Sequence, residues 1–222
     1  MPTSSNAYAA GAERPAGNRD VATVMAAWAL ALVWSGWHPY DRLTWLMEVL
    51  PVLIAAPLLV VTRSRFALTR LAYALIAVHG LILILGGAYT YARVPAGLQV
   101  QEWLGLARNP YDRLGHFAQG FVPAIVAREL LIRYFRLPRG KLLSFLVVCI
   151  CLAVSAFYEL LEWASALALG QGADEFLGTQ GDPWDTQWDM FMALVGAAAA
   201  LALLQRSHDR QIARLDPRPC VE

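Results

Sequence analysis

Three pairs of side chains in the sequence are spaced so that the members of each pair would share one face of a helix. The pairs are Asp112 with His116, Asp185 with Asp189, and Glu159 with Glu162, at separations of four, four and three residues. Carboxylates together with one histidine suit divalent metal ions, and Mg, Mn, Fe and Zn can be told apart only by geometry. If the three helices meet, these six residues are therefore candidate metal ligands.

The same cluster could support hydrolysis or group transfer. A bound metal ion relieves the repulsion between carboxylates and can activate water against a lipid-linked phosphate or an ester. Without a metal ion, a buried acid and a histidine can act as general acid and base. The candidate catalytic residues are Asp112, His116, Glu159 and Glu162.

Further polar residues are expected around this cluster. Three arginines are predicted at its rim, where they either form ordinary ion pairs or hold an anionic head group. Gln119 continues the face of Asp112 and His116, and Gln180 lies in a turn-rich loop that could fold over the site. The candidate substrate-binding residues are Arg42, Arg108, Arg113, Gln119 and Gln180, and the accessory candidates are Glu48, His79 and Asp182.

The composition indicates which elements position these residues. The chain of 222 residues is 58% hydrophobic and 16% charged, whereas soluble domains carry ~45–50% apolar and ~25% charged residues. The apolar residues fall into runs of about 20, which are typical of membrane-spanning helices. This composition excludes a soluble globular enzyme, a nucleic-acid binder and a disordered chain. The net charge of +1 also provides no field that would recruit a polyanion.

The sequence predicts an all-α, polytopic membrane bundle with six transmembrane helices. The spans run over about residues 21–36, 42–62, 69–91, 112–135, 141–169 and 185–205. Residues 1–20 are expected to form a disordered N-terminal tail, 21–206 the membrane domain and 207–222 a C-terminal tail. Thirteen of the 18 Lys and Arg residues lie on the side of the N terminus and four on the other side. This bias predicts that both termini are cytoplasmic.

One short motif opens each of the three spans that run towards the cytoplasm. Its copies are His38-Pro39-Tyr40-Asp41, Asn109-Pro110-Tyr111-Asp112 and Asp182-Pro183-Trp184-Asp185. Helix capping explains the tetrapeptides themselves, with Asn109 and Asp182 suited to the N-cap position. Capping does not explain His116, Asp189 and Glu48, which lie deeper in the bilayer. A charged group there costs ~2.5–3.5 kcal/mol or more, so these side chains are expected to face the interior of the bundle.

Several stretches of the chain resemble a known family. They are Glu48-Val49-Leu50-Pro51, His79 to Tyr91, Tyr111 to Phe121, Tyr158-Glu159 with Glu162-Trp163, and Phe176 to Met190. With these stretches the chain resembles the YjdF-like family of bacterial inner-membrane proteins over about residues 40–200. The resemblance implies a location in the inner membrane and brings no activity. The order of Asp, His, Glu, Gln and Asp is also similar, more weakly, to VanZ-like membrane proteins, which implies a role in the cell envelope.

Three functions remain open at this point. The first is a metal-dependent membrane hydrolase or transferase that acts on a lipid or an envelope precursor. The second is a proton- or cation-coupled transporter, because buried acids and histidines also form relays. The third is a non-catalytic membrane scaffold whose acids form a structural network. Transport is disfavoured because the ionisable groups crowd into the outer half of the membrane, with only Arg128 and Glu129 expected at the inner end.

Overall fold

The computed structural model describes residues 18–169 and 179–216, and the described residues form helices and connecting turns without strands. The helices are α1 Asn18–Trp37, α2 Arg42–Thr62, α3 Arg70–Tyr89, α4 Pro95–Leu104, α5 Tyr111–Arg133, α6 Lys141–Leu169 and α7 Asp185–Leu215. The predicted all-helical class is confirmed. The predicted disorder of the N-terminal tail falls almost wholly outside the described residues, as do residues 170–178 of the outer loop and the last six residues.

Five helices of the described ranges are long and apolar enough to cross a membrane. They are α1, α2, α3, α6 and α7. The predicted fourth span, 112–135, corresponds to α5, which has 23 residues but carries ionisable side chains at both of its ends. Length and composition therefore identify five spans rather than the six that the sequence predicted.

The helices run alternately between two ends of the bundle. Asp20 in the first turn of α1 lies 3.8 Å from Arg70 at the start of α3. At the same end, His208 near the end of α7 contacts Glu129 near the end of α5. The described chain thus begins and finishes at one end, which is called the inner end here. The end at which α2, α5 and α7 begin is called the outer end.

Side chains and backbone geometry define the boundaries of α2 and α3. Asp41 is the N-cap of α2, and its carboxylate accepts a hydrogen bond from the Thr44 backbone N–H at 2.7 Å. This hydrogen bond holds the pKa of Asp41 below its ordinary value. Helix α3 begins after its N-cap Thr69. It is followed by its C-cap Thr90, whose backbone is left-handed with φ 54°. Tyr91 follows with φ 40°, and its ring packs against the backbone of Gly86.

Helices α5 and α7 form the most extensive contact of the bundle. Two glycines allow this close approach. A Cβ atom on Gly120 would collide with the Ala193 carbonyl, and one on Gly196 would collide with the Phe117 carbonyl. Backbone therefore packs directly on backbone at the crossing. Because the crossing lies one turn from His116 and Asp189, it brings their two helix faces together.

Two further features concern the segment between α3 and α5 and the end of the last helix. The short helix α4 lies between α3 and α5, with Trp103 and Leu104 largely exposed. The last helix was predicted to end at Gln205, but α7 continues to Leu215. His208 and Ile212 in this extension are buried, so it belongs to the packed bundle.

Candidate metal centre

Five of the six predicted metal ligands converge at the outer end of the bundle, and the sixth, Asp185, pairs with Arg108 instead. One ligand atom from each of Asp112, His116 and Asp189 lies within 4.8 Å of the others, and the same holds for His116, Glu159 and Glu162. All five residues are buried. Helices α5, α6 and α7 each contribute, and His116 is common to both sets. The two sets thus form one cluster rather than two separate ones.

His116 lies between carboxylates without a close hydrogen bond to any of them. Its Nε2 atom is 3.5 Å from an Asp112 oxygen and 3.8 Å from an Asp189 oxygen. Its Nδ1 atom is 3.7 Å from Glu159 Oε1 but only 3.0 Å from Gln119 Oε1. An amide oxygen accepts but does not donate, so this contact favours the tautomer in which Nδ1 carries the proton. In that tautomer Nε2 directs a lone pair towards Asp112 and Asp189.

Two carboxylate oxygens in the cluster have no hydrogen-bond partner among the described residues. They are Glu159 Oε1 and Asp189 Oδ1, and both are buried. An unsatisfied buried polar atom costs about 1–3 kcal/mol, and more where the group is charged. The two atoms therefore need a cation, a proton or water that the described residues do not provide.

Arg108 closes the outer side of the cluster. It donates to Asp112 at 2.9 Å and also forms a short hydrogen bond with Asp185. Burial alone would lower the pKa of Arg108, but the carboxylates of Asp185 and Asp112 outweigh burial and raise it. Arg113 forms an ion pair with Asp182 at 3.1 Å. Both arginines are thus engaged by acids, which matches the ion-pair alternative for the rim.

The other predicted rim residues lie away from the cavity. Arg42 is exposed in the first turn of α2. The Gln180 side chain accepts from the Asn109 backbone N–H at 2.9 Å and donates to the Asn109 carbonyl at 3.1 Å. It attaches the segment before α7 to the start of α5. The buried Asn109 amide in turn donates to the carbonyls of Ala92 and Val94, which fixes the turn after α3.

The three copies of the tetrapeptide have different roles. Asp41 caps α2, whereas Asp112 and Asp185 lie inside the first turns of α5 and α7 and pair with Arg108. The N-caps of α5 and α7 are Pro110 and Trp184, so the N-cap assignments of Asn109 and Asp182 were wrong. The two side chains instead accept a backbone N–H from two residues further on, at 3.0 Å in each case. Capping therefore accounts for only one of the three aspartates.

A cavity of about 220 Å³ opens beside the cluster. Glu48 and His79, the accessory candidates from α2 and α3, line it together with His116 and Glu162. The polar lining also includes Tyr91 and Tyr158, which the sequence analysis missed. Tyr158 could have been found, because it precedes Glu162 by four residues on α6. Tyr91 could not, because its position depends on the left-handed turn that ends α3.

A larger apolar cavity adjoins the polar one. It has a volume of about 760 Å³ and shares Pro51, His79, Leu83 and Pro123 with the smaller cavity. From these residues it extends between α2, α3 and α5 to lining residues at the inner end, among them Phe135. The two cavities thus place carboxylates and a hydrocarbon-lined space next to one another.

Arg128 and Glu129 lie at the inner end of α5, as expected, and both are buried. Glu129 is 0% exposed and accepts from the Thr69 backbone at 2.9 Å, from Arg133 at 2.5 Å and from His208 at 3.0 Å. Arg128 contacts His208 Nδ1 at 3.3 Å and donates to Asp209 at 2.8 Å. His208 and Asp209 lie beyond Gln205, where the last span was predicted to end, and so were not among the predicted residues.

Comparisons with known proteins are consistent with this architecture. A family model described as "Predicted membrane protein (DUF2238)" matches residues 21–210. The inner membrane protein YjdF of Escherichia coli K12 is 59% identical over 185 residues, which cover 83% of this chain and 88% of that protein. No solved structure matches the chain.

Proposed function

The chain belongs to the DUF2238 family of membrane proteins, and from this premise we propose that it is a metal-dependent membrane enzyme. Its integral, multi-pass character and its inner-membrane location follow from the relative and the apolar helices. The proposal adds a divalent metal ion held by Asp112, His116 and Asp189, with Glu159 and Glu162 beside it. The reaction is hydrolysis or transfer on a lipid or an envelope precursor.

The proposed topology has six spans with both termini in the cytoplasm. At 1.5 Å per residue, the 23 residues of α5 extend over roughly 35 Å, enough to cross ~30 Å of hydrocarbon. The hydropathy of α5 is low because it contains the ionisable side chains Asp112, His116, Arg128 and Glu129. These four side chains are buried against neighbouring helices rather than facing lipid. The excess of Lys and Arg at the inner end supports its assignment to the cytoplasm.

The observation that carries the metal proposal is the pair of unpartnered oxygens, Glu159 Oε1 and Asp189 Oδ1. Asp189 belongs to the group with Asp112 and His116, and Glu159 belongs to the group with His116 and Glu162; the ligand atoms within each group lie within 4.8 Å of one another. A divalent cation in the first group would satisfy the Asp189 oxygen, and a water bound to that cation would donate to the Glu159 oxygen. His116 Nε2 would be a nitrogen ligand of the cation, and the Gln119 amide would fix the tautomer of His116.

The balance of buried charge supports the same conclusion. Six acids are buried at the outer end, namely Glu48, Asp112, Glu159, Glu162, Asp185 and Asp189. Arg108 is the buried arginine that faces them among the described residues. Each uncompensated charge inside a membrane costs ~2.5–3.5 kcal/mol or more. A metal ion would offset two of these charges, and shared protons would neutralise part of the remainder.

The adjoining apolar cavity supports a lipid substrate. Between Pro51 and Thr62, which both line it, α2 advances by roughly 16 Å. This length is comparable to one leaflet of a bilayer whose hydrocarbon core is ~30 Å thick. A hydrocarbon chain would occupy this space, and the polar end of the same molecule would reach the carboxylates through the shared residues His79 and Pro123.

The side chains of the centre have separate roles in this proposal. Asp112, Asp189 and His116 would hold the metal ion, which when bound would supply an activated water or polarise a phosphate or ester oxygen. Glu159 and Glu162 accept and return protons at the reacting group. Arg108 holds Asp112 and Asp185 in place from the outer side.

The test is the metal content of the purified full-length protein in detergent, measured by mass spectrometry after incubation with Mg, Mn, Fe or Zn and gel filtration. We expect stoichiometric binding of one of these metals to the wild type and its loss in Glu159→Gln and Asp189→Asn. Glu102→Gln on exposed α4 is the matched control and should bind as the wild type does. Folded wild-type protein that binds no metal under any of these conditions would refute the proposal.

Proton- or cation-coupled transport is the alternative that the second buried cluster, around Glu129 and His208, brings back into consideration. Transport predicts proton-coupled flux in liposomes that depends on both Glu129 and Glu159. The absence of flux across a panel of cations, together with stoichiometric metal binding, would favour the enzyme. The absence of both activities would favour a membrane scaffold.

A further inference from the structure

A second pocket lies at the inner end of the bundle, separate from the candidate metal centre. It has a volume of about 630 Å³ and lies between the inner ends of α5 and α7 and the start of α6. Its charged and polar lining includes Arg128, Arg139, Lys141, Ser144, Arg206 and Asp209. Four cationic side chains and one carboxylate give the described lining a formal charge of +3.

The single carboxylate is already shared. One oxygen of Asp209 accepts from Arg128 at 2.8 Å and from Arg139 at 2.7 Å. Another ion pair at the inner end joins Arg136 to Asp216 at 2.6 Å, and neither of these residues lines the pocket. The described lining of the pocket therefore carries an excess of positive charge, and an anion is the ligand that would balance it.

The start of α6 adds to the preference for an anion. Lys141 is the first residue of this 29-residue helix, and Ser144 lies in its first turn. The first backbone N–H groups of a helix have no intrahelical acceptor, and the helix dipole favours negative charge at this end. Guanidinium and ammonium groups around such a helix start form a recognised arrangement for phosphate.

The surroundings of the pocket indicate where the phosphate comes from. Leu142 and Phe145, in the first turns of α6, are 63% and 64% exposed and would face lipid. We propose that this pocket binds the phosphate of an anionic lipid from the inner-end leaflet, whose acyl chains lie along Leu142 and Phe145. Basic pockets between membrane helices on the cytoplasmic side bind anionic head groups in this way. The proposal does not depend on the metal centre.

The test is a thermal-unfolding titration of the full-length protein in neutral detergent with phosphatidylglycerol, phosphatidylcholine or inorganic phosphate. We expect phosphatidylglycerol to raise the melting temperature of the wild type at lower concentrations than phosphatidylcholine. Each surface-near cation contributes about fivefold to such binding. The double variant Lys141→Gln/Arg206→Gln should therefore need about 25-fold more phosphatidylglycerol for the same shift.

Two matched variants separate charge from folding. Arg210→Gln removes an exposed arginine one turn after Arg206 that does not line the pocket, and it should leave the titration unchanged. The charge-preserving Lys141→Arg/Arg206→Lys should keep most of the preference for phosphatidylglycerol. Equal response to the two lipids, or an unchanged titration in the double Gln variant, would overturn the proposal. A shift of the same size with inorganic phosphate alone would assign the pocket to a soluble anion and overturn the lipid assignment.

Discussion

Gly120→Ala tests whether the contact of α5 with α7 positions the candidate metal centre. The added Cβ atom would collide with the Ala193 carbonyl, which is backbone and cannot rotate away as a side chain could. Overpacking a well-packed contact typically lowers the free energy of unfolding by ~1–3 kcal/mol. Because the Ala193 carbonyl is a rigid neighbour, we expect Gly120→Ala to cost ~3 kcal/mol. Alanine recovers about 1 kcal/mol through its better helix propensity. The net loss of about 2 kcal/mol corresponds to a decrease of roughly 4–8 °C in melting temperature.

The same substitution should also disturb the centre without changing a ligand. Gly120 lies four residues from His116, so separation of α5 from α7 moves Asp112 and His116 away from Asp189. We expect lower metal occupancy in Gly120→Ala at temperatures at which the protein is still folded. Gly140→Ala is the matched control, because a Cβ there would meet nothing within 4 Å. Wild-type melting and metal occupancy in Gly120→Ala would refute the reasoning about the helix contact.

Three further predictions concern single contacts elsewhere in the fold. Glu129→Ala leaves the buried His208 and the partly buried Arg133 without their shared carboxylate, so we expect a loss of about 3–5 kcal/mol in the free energy of unfolding measured with denaturant. Asp41→Ala removes the N-cap of α2 and should cost about 1 kcal/mol at pH 7. Because the folded pKa of Asp41 is lowered from 3.8, this contribution is fully present above the unfolded pKa and disappears as the pH falls through the folded pKa. The difference between Asp41→Ala and the wild type should therefore shrink below about pH 4, which unfolding measurements across pH would detect. Gln180→Ala releases the segment before α7 from Asn109 and should speed limited proteolysis there, whereas Gln99→Ala on exposed α4 should not.

Sequence spacing was sufficient to identify the helices and the faces that carry the cluster. Residues four apart must share a helix face, so Asp112 with His116 and Asp185 with Asp189 could be paired before any coordinates were considered. The cost of a charge in lipid then required these faces to point inwards. The structure brings the same residues together, and their roles as ligands or catalysts remain predictions for the metal analysis.

The features that sequence reasoning missed depend on contacts between distant segments. Arg108 is bound by acids from two helices, and nothing local distinguishes it from an arginine that holds a substrate. The last helix was cut short because Arg206 marks the end of an apolar run. A helix can nevertheless continue beyond its apolar run when its next turns pack against the protein. In α7 these turns carry the buried residues His208 and Ile212.

The distribution of polar groups along α5 bears on the choice between enzyme and transporter. Its outer end carries His116 and Gln119, its inner end carries Arg128 and Glu129, and residues 120–127 between them are apolar throughout. This interval extends over roughly 12 Å. Opposite it, Ala193, Ala197 and Ala200 of α7 are buried, and the helices pack backbone against backbone. A proton or cation that crossed this layer would need polar groups or water that the described packing does not provide. A molecule with a hydrocarbon chain faces no such barrier, because the cavity beside Pro123 already provides an apolar space that begins at the cluster. The same arrangement that disfavours a path through the protein is thus consistent with the proposed chemistry on an amphiphile.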